Sequence, residues 1–105
     1  MVSNEKVQNV YDYLKINCVG KKNSVSRTEI SRIINIHEKD LKKAIKVINE
    51  SDKYDIVISD THKCYVCETM EEKLDLVNSF VEKAKALMKK ANKIAEKSVN
   101  LYFKE

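Results

Sequence analysis

The order of apolar and polar residues predicts three short helices in the first half of the chain. Apolar side chains recur at steps of three and four residues from Ser3 to about Cys18, and again after Ser26 and after His37. This is the spacing of one helix face. A capping box (S-x-x-E) marks the start at Ser26. Asn35, a residue type that tolerates turn geometry, separates the second helix from the third.

The predicted third helix has two chemically different faces. At about 100° per residue, its apolar side chains fall on one side and its lysines on the other, within an arc of about 100°. The apolar residues are Leu41, Ala44, Ile45 and Ile48. The lysines are Lys39, Lys42, Lys43 and Lys46. This clustering is the most informative charge feature of the sequence, although a charged outer face by itself is most often only a solvated surface.

The pattern changes after the third helix and predicts a β-hairpin. Residues 54–58 and 64–67 are rich in strand formers, and residues 59–63 between them are polar. Two short apolar runs around a polar tip of this length are typical of a hairpin. Lys63, and His62 beside it, would lie at the tip of this wing.

The last third of the chain predicts one long helix. A second capping box begins at Thr69, and no helix breaker follows before Phe103, which gives about 34 residues or about 50 Å. Apolar and small residues alternate steps of three and four, as in a heptad seam. We expect residues 74–81 to pack on the preceding domain and the remainder to pair with a second chain. The pairing residues would be Ala84, Leu87, Met88, Ala91, Ile94, Ala95 and Leu101.

These elements predict an α+β fold that is mostly α. Residues 1–69 would form a winged helix-turn-helix domain of three helices and a hairpin wing, and residues 70–105 a C-terminal oligomerisation helix. A homodimer is the first expectation, with the helices either parallel or antiparallel. The alternative is a helix that folds back or frays beyond residue 96.

Composition narrows the function classes only slightly. Apolar residues make up 43% and charged residues 34% of the 105 residues, and the formal net charge is +4, which is compatible with a polyanionic partner. No apolar run is long enough to span a membrane. The N-terminus lacks the apolar segment of a signal peptide, and the three cysteines are an odd number. We therefore expect a cytoplasmic protein.

Candidate chemistry is sparse. Cys64 and Cys67 form a C-x-x-C pair near His62, but residues three apart in a strand point to opposite faces. Buried small apolar side chains account for the pair better than a metal or redox site does. One glycine cannot build a phosphate-binding loop, and no catalytic set can be placed in a cleft. We expect no enzyme activity, no metal and no cofactor.

The chain also resembles a family. The run "SRTEISRIINIHEKDLKKAIKVINESDKYDIVISDTHKCYVCETMEE" is similar to small winged-helix proteins of phage and prophage genomes. In that group, a capped helix-turn-helix precedes a basic R-x-x-R-x-A-I helix, a strand, a short wing, a Gly-Tyr-Tyr-Leu-like strand and a Thr-x-Glu-Glu helix start. Residues 39–45, 56–58, 64–66 and 69–72 occupy those places. Lysines replace the arginines, Cys64 stands where glycine is usual, and His37 takes the cap position.

The resemblance implies DNA binding in transcription or replication control. Combined with the residue pattern, it predicts a dimer that contacts double-stranded DNA through the third helix. The contacting residues would be Lys39, Lys42, Lys43 and Lys46, with support from Arg27, Arg32 and Lys63. The alternative is a protein-binding module on the same scaffold, which would hold a host or defence-complex protein through the long helix without DNA.

Overall fold

The structure is a computed structural model that describes the backbone of residues 2–103 and the side chains of residues 2–97. It is mostly helical, with a small two-stranded antiparallel sheet and a long C-terminal helix. The chain divides into two compact units, Met1–Leu74 and Asp75–Glu105. The elements are α1 (Asn4–Asn17), a 3₁₀ turn (Lys21–Asn23), α2 (Arg27–Ile33), α3 (Glu38–Glu50), β1 (Ile58–Ser59), β2 (Tyr65–Val66) and α4 (Met70–Phe103).

Side chains cap the helices of the first unit at the positions that the sequence predicts. The Ser3 and Ser26 hydroxyls accept hydrogen bonds from backbone N–H groups in the first turns of α1 and α2. His37 does the same for α3, because its Nδ1 accepts from the Lys39 N–H at 3.2 Å. Each cap satisfies an amide that has no partner within the helix. The predicted helix starts are therefore confirmed.

The break between α2 and α3 is a left-handed turn at Asn35. This residue has φ of 53°, a conformation that asparagine tolerates better than most side chains. The Ile36 N–H then donates to the Ser31 carbonyl at 2.9 Å, which is the backbone bond of a Schellman motif. The turn ends α2 after two turns of helix and redirects the chain into α3.

The hairpin exists, but its strands are shorter than predicted. β1 and β2 contain two residues each, with Ile58 opposite Val66 and Ser59 opposite Tyr65. Residues 54–57 are not a strand, although the Cys67 N–H still donates to the Val57 carbonyl at 2.8 Å. Packing provides the reason, because Ile58 is fully buried while Ile56 and Val57 are only half-buried.

The second edge of β2 pairs with the segment between α1 and α2. Val25 exchanges two backbone hydrogen bonds with Cys64, at 3.0 and 2.7 Å. Gly20 donates its N–H to the Val66 carbonyl at 2.9 Å. Its φ is 85°, and a Cβ there would lie 2.7 Å from a Glu68 carboxylate oxygen, so the only glycine is required at this position.

The core of the first unit is assembled from residues of α1, α2, α3, β1 and β2 and of the segments beside them. α1, α2 and α3 each contribute one apolar face, and the hairpin covers an open side. The largest fully buried side chains are Leu14, Ile30, Leu41, Ile48, Ile58, Val10, Cys18 and Cys64. A core of this kind fixes which side of each helix faces solvent.

The second unit is a single helix, the continuation of α4 from Asp75. The predicted bounds of the long helix are confirmed. Leu74 and Val77 are each 52% exposed, and the buried side chain is Leu76, at 5%. Leu76 lies one helical step, about 100°, away from Val77, so the buried direction differs from the heptad seam. The Leu101 side chain lies outside the described residues.

The Asn35 turn gives the first prediction. We expect Asn35→Gly to keep the stability of the protein, because glycine adopts the left-handed conformation without strain. Asn35→Val should lower the free energy of unfolding by about 1–2 kcal/mol. Urea unfolding followed by circular dichroism measures both variants, and equal stability of the two would contradict the role assigned to this turn.

Candidate nucleic-acid interface

The apolar side of α3 is buried, and this determines where its lysines point. Leu41, Ala44, Ile45 and Ile48 are at most 2% exposed. All four lysines of the opposite side, Lys39, Lys42, Lys43 and Lys46, are exposed. The arrangement of the two faces around α3 is therefore the one that the sequence predicts.

Polar contacts on the two flanks of α3 fix its rotation. On the α1 flank, Lys6 Nζ donates to Asp40 Oδ2 at 2.8 Å. On the α2 flank, the Thr28 hydroxyl donates to Glu38 Oε1 at 2.8 Å. Around the helix these two carboxylates bound an arc of about 200° that contains the lysine face, and the remaining arc of about 160° contains the buried apolar face. The lysines therefore occupy the arc that no neighbouring element covers.

Asn49 fastens the C-terminal part of α3 to the hairpin. Its side-chain amide donates to the Ile58 carbonyl at 2.9 Å, and its Oδ1 accepts from the Ile58 N–H at 2.7 Å. The side chain thus imitates a neighbouring strand along the open edge of β1. Since both bonds are partly buried, Asn49 couples the position of the hairpin to that of α3.

Neighbouring carboxylates offset the positive charge of the lysine face less than the sequence suggests. Asp40 is turned towards α1, where the hydrogen bond from Lys6, assisted by the charges of Lys6 and Lys43, lowers the pKa of its carboxyl group. Among the residues that the structure describes, none of the four lysines forms an ion pair. Glu50 is the exposed carboxylate that remains on this face. The face thus presents four cations to solvent.

The three supporting residues lie on elements other than α3. Arg27 and Arg32 are five positions apart on α2, which places them about 140° apart around that helix. Arg32 is exposed, whereas Arg27 is half-buried and close enough to Cys64 to influence its thiol. Lys63 is exposed at the hairpin tip. The predicted set is therefore spread over several surfaces, and only the α3 lysines form a single face.

The cysteines belong to the core. Cys18, Cys64 and Cys67 are free and buried. Burial raises the pKa of each thiol, and it raises that of Cys64 to about 12, so the thiols stay protonated at neutral pH. Within the described part of the chain, no three His, Cys, Asp or Glu side chains are grouped so as to hold a metal ion.

The predicted pairing residues lie along α4. Ala84, Leu87, Met88, Ala91, Ile94 and Ala95 are all exposed in the single chain. Leu87 and Met88 are 68% and 62% exposed, which is unusual for large apolar side chains that follow each other on one face. None of the helices in residues 2–103 combines the length and the apolar character that crossing a membrane requires.

Comparison of the chain with protein-family models, with curated proteins and with solved structures gives no match. The resemblance to the phage and prophage group therefore stays a prediction from the order and spacing of motifs. Sequence reasoning did not find Lys6, Thr28 or Asn49, whose partners lie in other elements. Asn49 carries the only recognisable signal, since it is an amide side chain at the end of a helix just before the predicted strand.

The Asn49 contact gives the second prediction. Asn49→Ala would leave two partly buried backbone groups of Ile58 without partners, and we expect the free energy of unfolding to fall by about 1–3 kcal/mol. Asn49→Asp keeps the acceptor but removes the donor, so its loss should be intermediate. Asn92→Ala, at an exposed position of α4, is the matched control and should cost nothing measurable. Equal stability of the Asn49→Ala and Asn92→Ala variants would contradict the coupling.

The Asp40 carboxylate gives the third prediction. The pKa of this carboxyl group is lower in the folded protein than its ordinary value of 3.8. The ionised group therefore stabilises the fold at pH values above 3.8, and this stabilisation is lost as the pH falls through the folded-state pKa. Wild type should therefore be more stable than Asp40→Asn at about pH 6, and the difference should be smaller at about pH 3, below the ordinary value of 3.8. Urea unfolding at both pH values measures this, with Glu50→Gln as the control. A constant difference between wild type and Asp40→Asn would contradict the prediction.

Proposed function

We propose that this protein is a winged helix-turn-helix protein that binds double-stranded DNA through α3. The observation that carries the proposal is the lysine face, formed by Lys39, Lys42, Lys43 and Lys46, which is exposed and free of ion pairs in the described residues. Lysine ammonium groups at this spacing suit a row of phosphates, because phosphate contacts supply most of the affinity in DNA binding.

The arrangement of α2, α3 and the hairpin supports the same proposal. α2 braces α3 from behind through the Asn35 turn and the Thr28–Glu38 hydrogen bond. α3 has 13 residues, about 20 Å, and a helix of this kind enters the major groove, which is about 12 Å wide. The wing, held by Asn49, would place Lys63 beside the adjacent backbone.

The chemistry of lysine limits the kind of recognition. A lysine is a point charge, whereas the planar fork of arginine reads guanine through two hydrogen bonds. We therefore infer binding with a strong dependence on salt and a modest preference for sequence. The resemblance to the phage and prophage group suggests transcription or replication control as the setting.

Salt-dependent binding gives the fourth prediction. Fluorescence anisotropy with a labelled duplex of about 20 base pairs should show affinity that falls with salt, with a logarithmic slope of about −4 per chain if each of the four lysines meets a phosphate. Lys42→Glu/Lys43→Glu should weaken binding by more than about 10-fold and reduce the slope by about 2.

Lys89→Glu/Lys90→Glu is the matched control for this experiment. It makes the same charge change at two adjacent exposed lysines, but on α4. We expect it to alter binding much less than the α3 variant does. Equal losses in the two variants would refute α3 as the contact surface, and absence of binding at about 50 mM salt would favour the protein-binding alternative.

A further inference from the structure

The second unit carries a broad apolar face that it cannot cover by itself. In heptad terms, Val81 and Met88 occupy a positions, Ala84 and Ala91 occupy d positions, and Phe80, Leu87 and Ile94 occupy the adjacent g positions. These g, a and d positions are called the apolar stripe here. Phe80, Val81, Leu87 and Met88 are 42–68% exposed. Within the described residues of the second unit, α4 is the only element, so the unit has no second element there to pack against the stripe.

A helix with an uncovered apolar stripe is stabilised when another element packs against that stripe. Most of the stability of a protein helix comes from packing of its amphipathic face, and propensity alone leaves isolated helices marginal. We propose that the partner is a second copy of this chain, paired with α4 in the antiparallel orientation. This inference does not depend on DNA binding, and it concerns residues that lie outside the lysine face.

The distribution of polar residues beside the stripe selects the orientation. In a parallel pair, each g position faces the e position five residues later in the other chain. Phe80 would then face Lys85, and Leu87 would face Asn92. In an antiparallel pair, g positions face g positions and e positions face e positions. Apolar side chains then lie against apolar ones, and the polar e residues lie together on the other side.

Side-chain size gives a second, independent argument. A parallel pair would stack Met88 on Met88 and Ala91 on Ala91, so that crowded layers alternate with empty ones. Antiparallel pairing instead sets a positions against d positions. With the centre of symmetry between residues 89 and 90, Met88 meets Ala91 of the second copy, and Leu87 meets Ile94. The two central layers thus each pair a large side chain with a small one, as close packing requires, and the flanking layer sets Ala84 against Ala95 of the second copy, which lets the helices approach closely there.

The charged residues at the e positions are compatible with the register centred between residues 89 and 90. Lys85 would face the uncharged Asn92 of the second copy, so no like charges meet at the e positions. The neighbouring register, centred on residue 86, would set Lys85 against Lys85 and is disfavoured. The lysines at positions 89, 90, 93 and 97 lie away from the stripe, because they fall at about 100° or more from its centre on the helical wheel. They remain in solvent when the two helices pair.

The test begins with the oligomeric state. Light scattering of the full chain at about 100 µM should give twice the monomer mass of 12.2 kDa. Leu87→Asp should lose the dimer and leave a monomer with the same circular dichroism signature for the first unit. Ala86→Asp makes the same charge change one residue away, at a position outside the stripe, and should keep the dimer. A monomeric wild type, or equal loss in both variants, would overturn the proposal.

The orientation is tested by distances between spin labels. The three native cysteines are buried, so labels can be attached selectively at Asp75→Cys or Lys90→Cys. In the antiparallel dimer, labels at position 75 should be about 45 Å apart, whereas labels at position 90 should be within about 20 Å. Short distances at both positions would mean a parallel pair and would overturn the proposal.

A membrane surface is a further occupant to be tested for an apolar stripe with lysines behind it. Sedimentation with vesicles of phosphatidylserine and phosphatidylcholine distinguishes membrane binding from pairing of two chains. A chain that is monomeric in solution and binds these vesicles through Leu87 would show that the stripe faces lipid, which would overturn the pairing. A dimer that ignores the vesicles supports it.

Discussion

Burial of one side of α3 is the constraint on which the rest of the first unit depends. Leu41, Ile45 and Ile48 are each worth about 1.5–3 kcal/mol when removed from water, and all are at most 2% exposed. Exposed polar contacts such as Lys6–Asp40 contribute much less than this. The apolar residues therefore decide which face of α3 turns inward. The polar contacts on its flanks then adjust the rotation of α3 about its own axis. The four lysines consequently face solvent.

Much of this could be read from the sequence because the signals are local. Caps at Ser3, Ser26 and His37, the Asn35 turn and the two faces of α3 involve residues within a few positions of each other. What could not be read depends on partners distant in the chain. The pairing of Val25 with Cys64 joins segments 39 positions apart, and the strand ends depend on which residues the core covers. The angle between Arg27 and Arg32 around α2 follows from helix geometry, whereas the partial burial of Arg27 does not.

The two units divide the chemistry of the chain. The first presents cations on a rigid helix whose back is buried, and the second presents apolar side chains on a helix that has no cover of its own. A polyanion suits the first surface because lysine side chains without ion pairs gain by displacing counterions from phosphates. A copy of the same helix suits the second because its large and small residues are complementary when the direction is reversed.

The central claim is that the lysine face of α3 is the surface that meets DNA, and an NMR titration tests it most directly. ¹⁵N-labelled protein is titrated with duplex DNA at low salt, and the shifts of backbone amides are mapped along the chain. The account predicts the largest shifts within Glu38–Glu50 and at the hairpin tip around Lys63. Shifts confined to α4, or none at all, would contradict it.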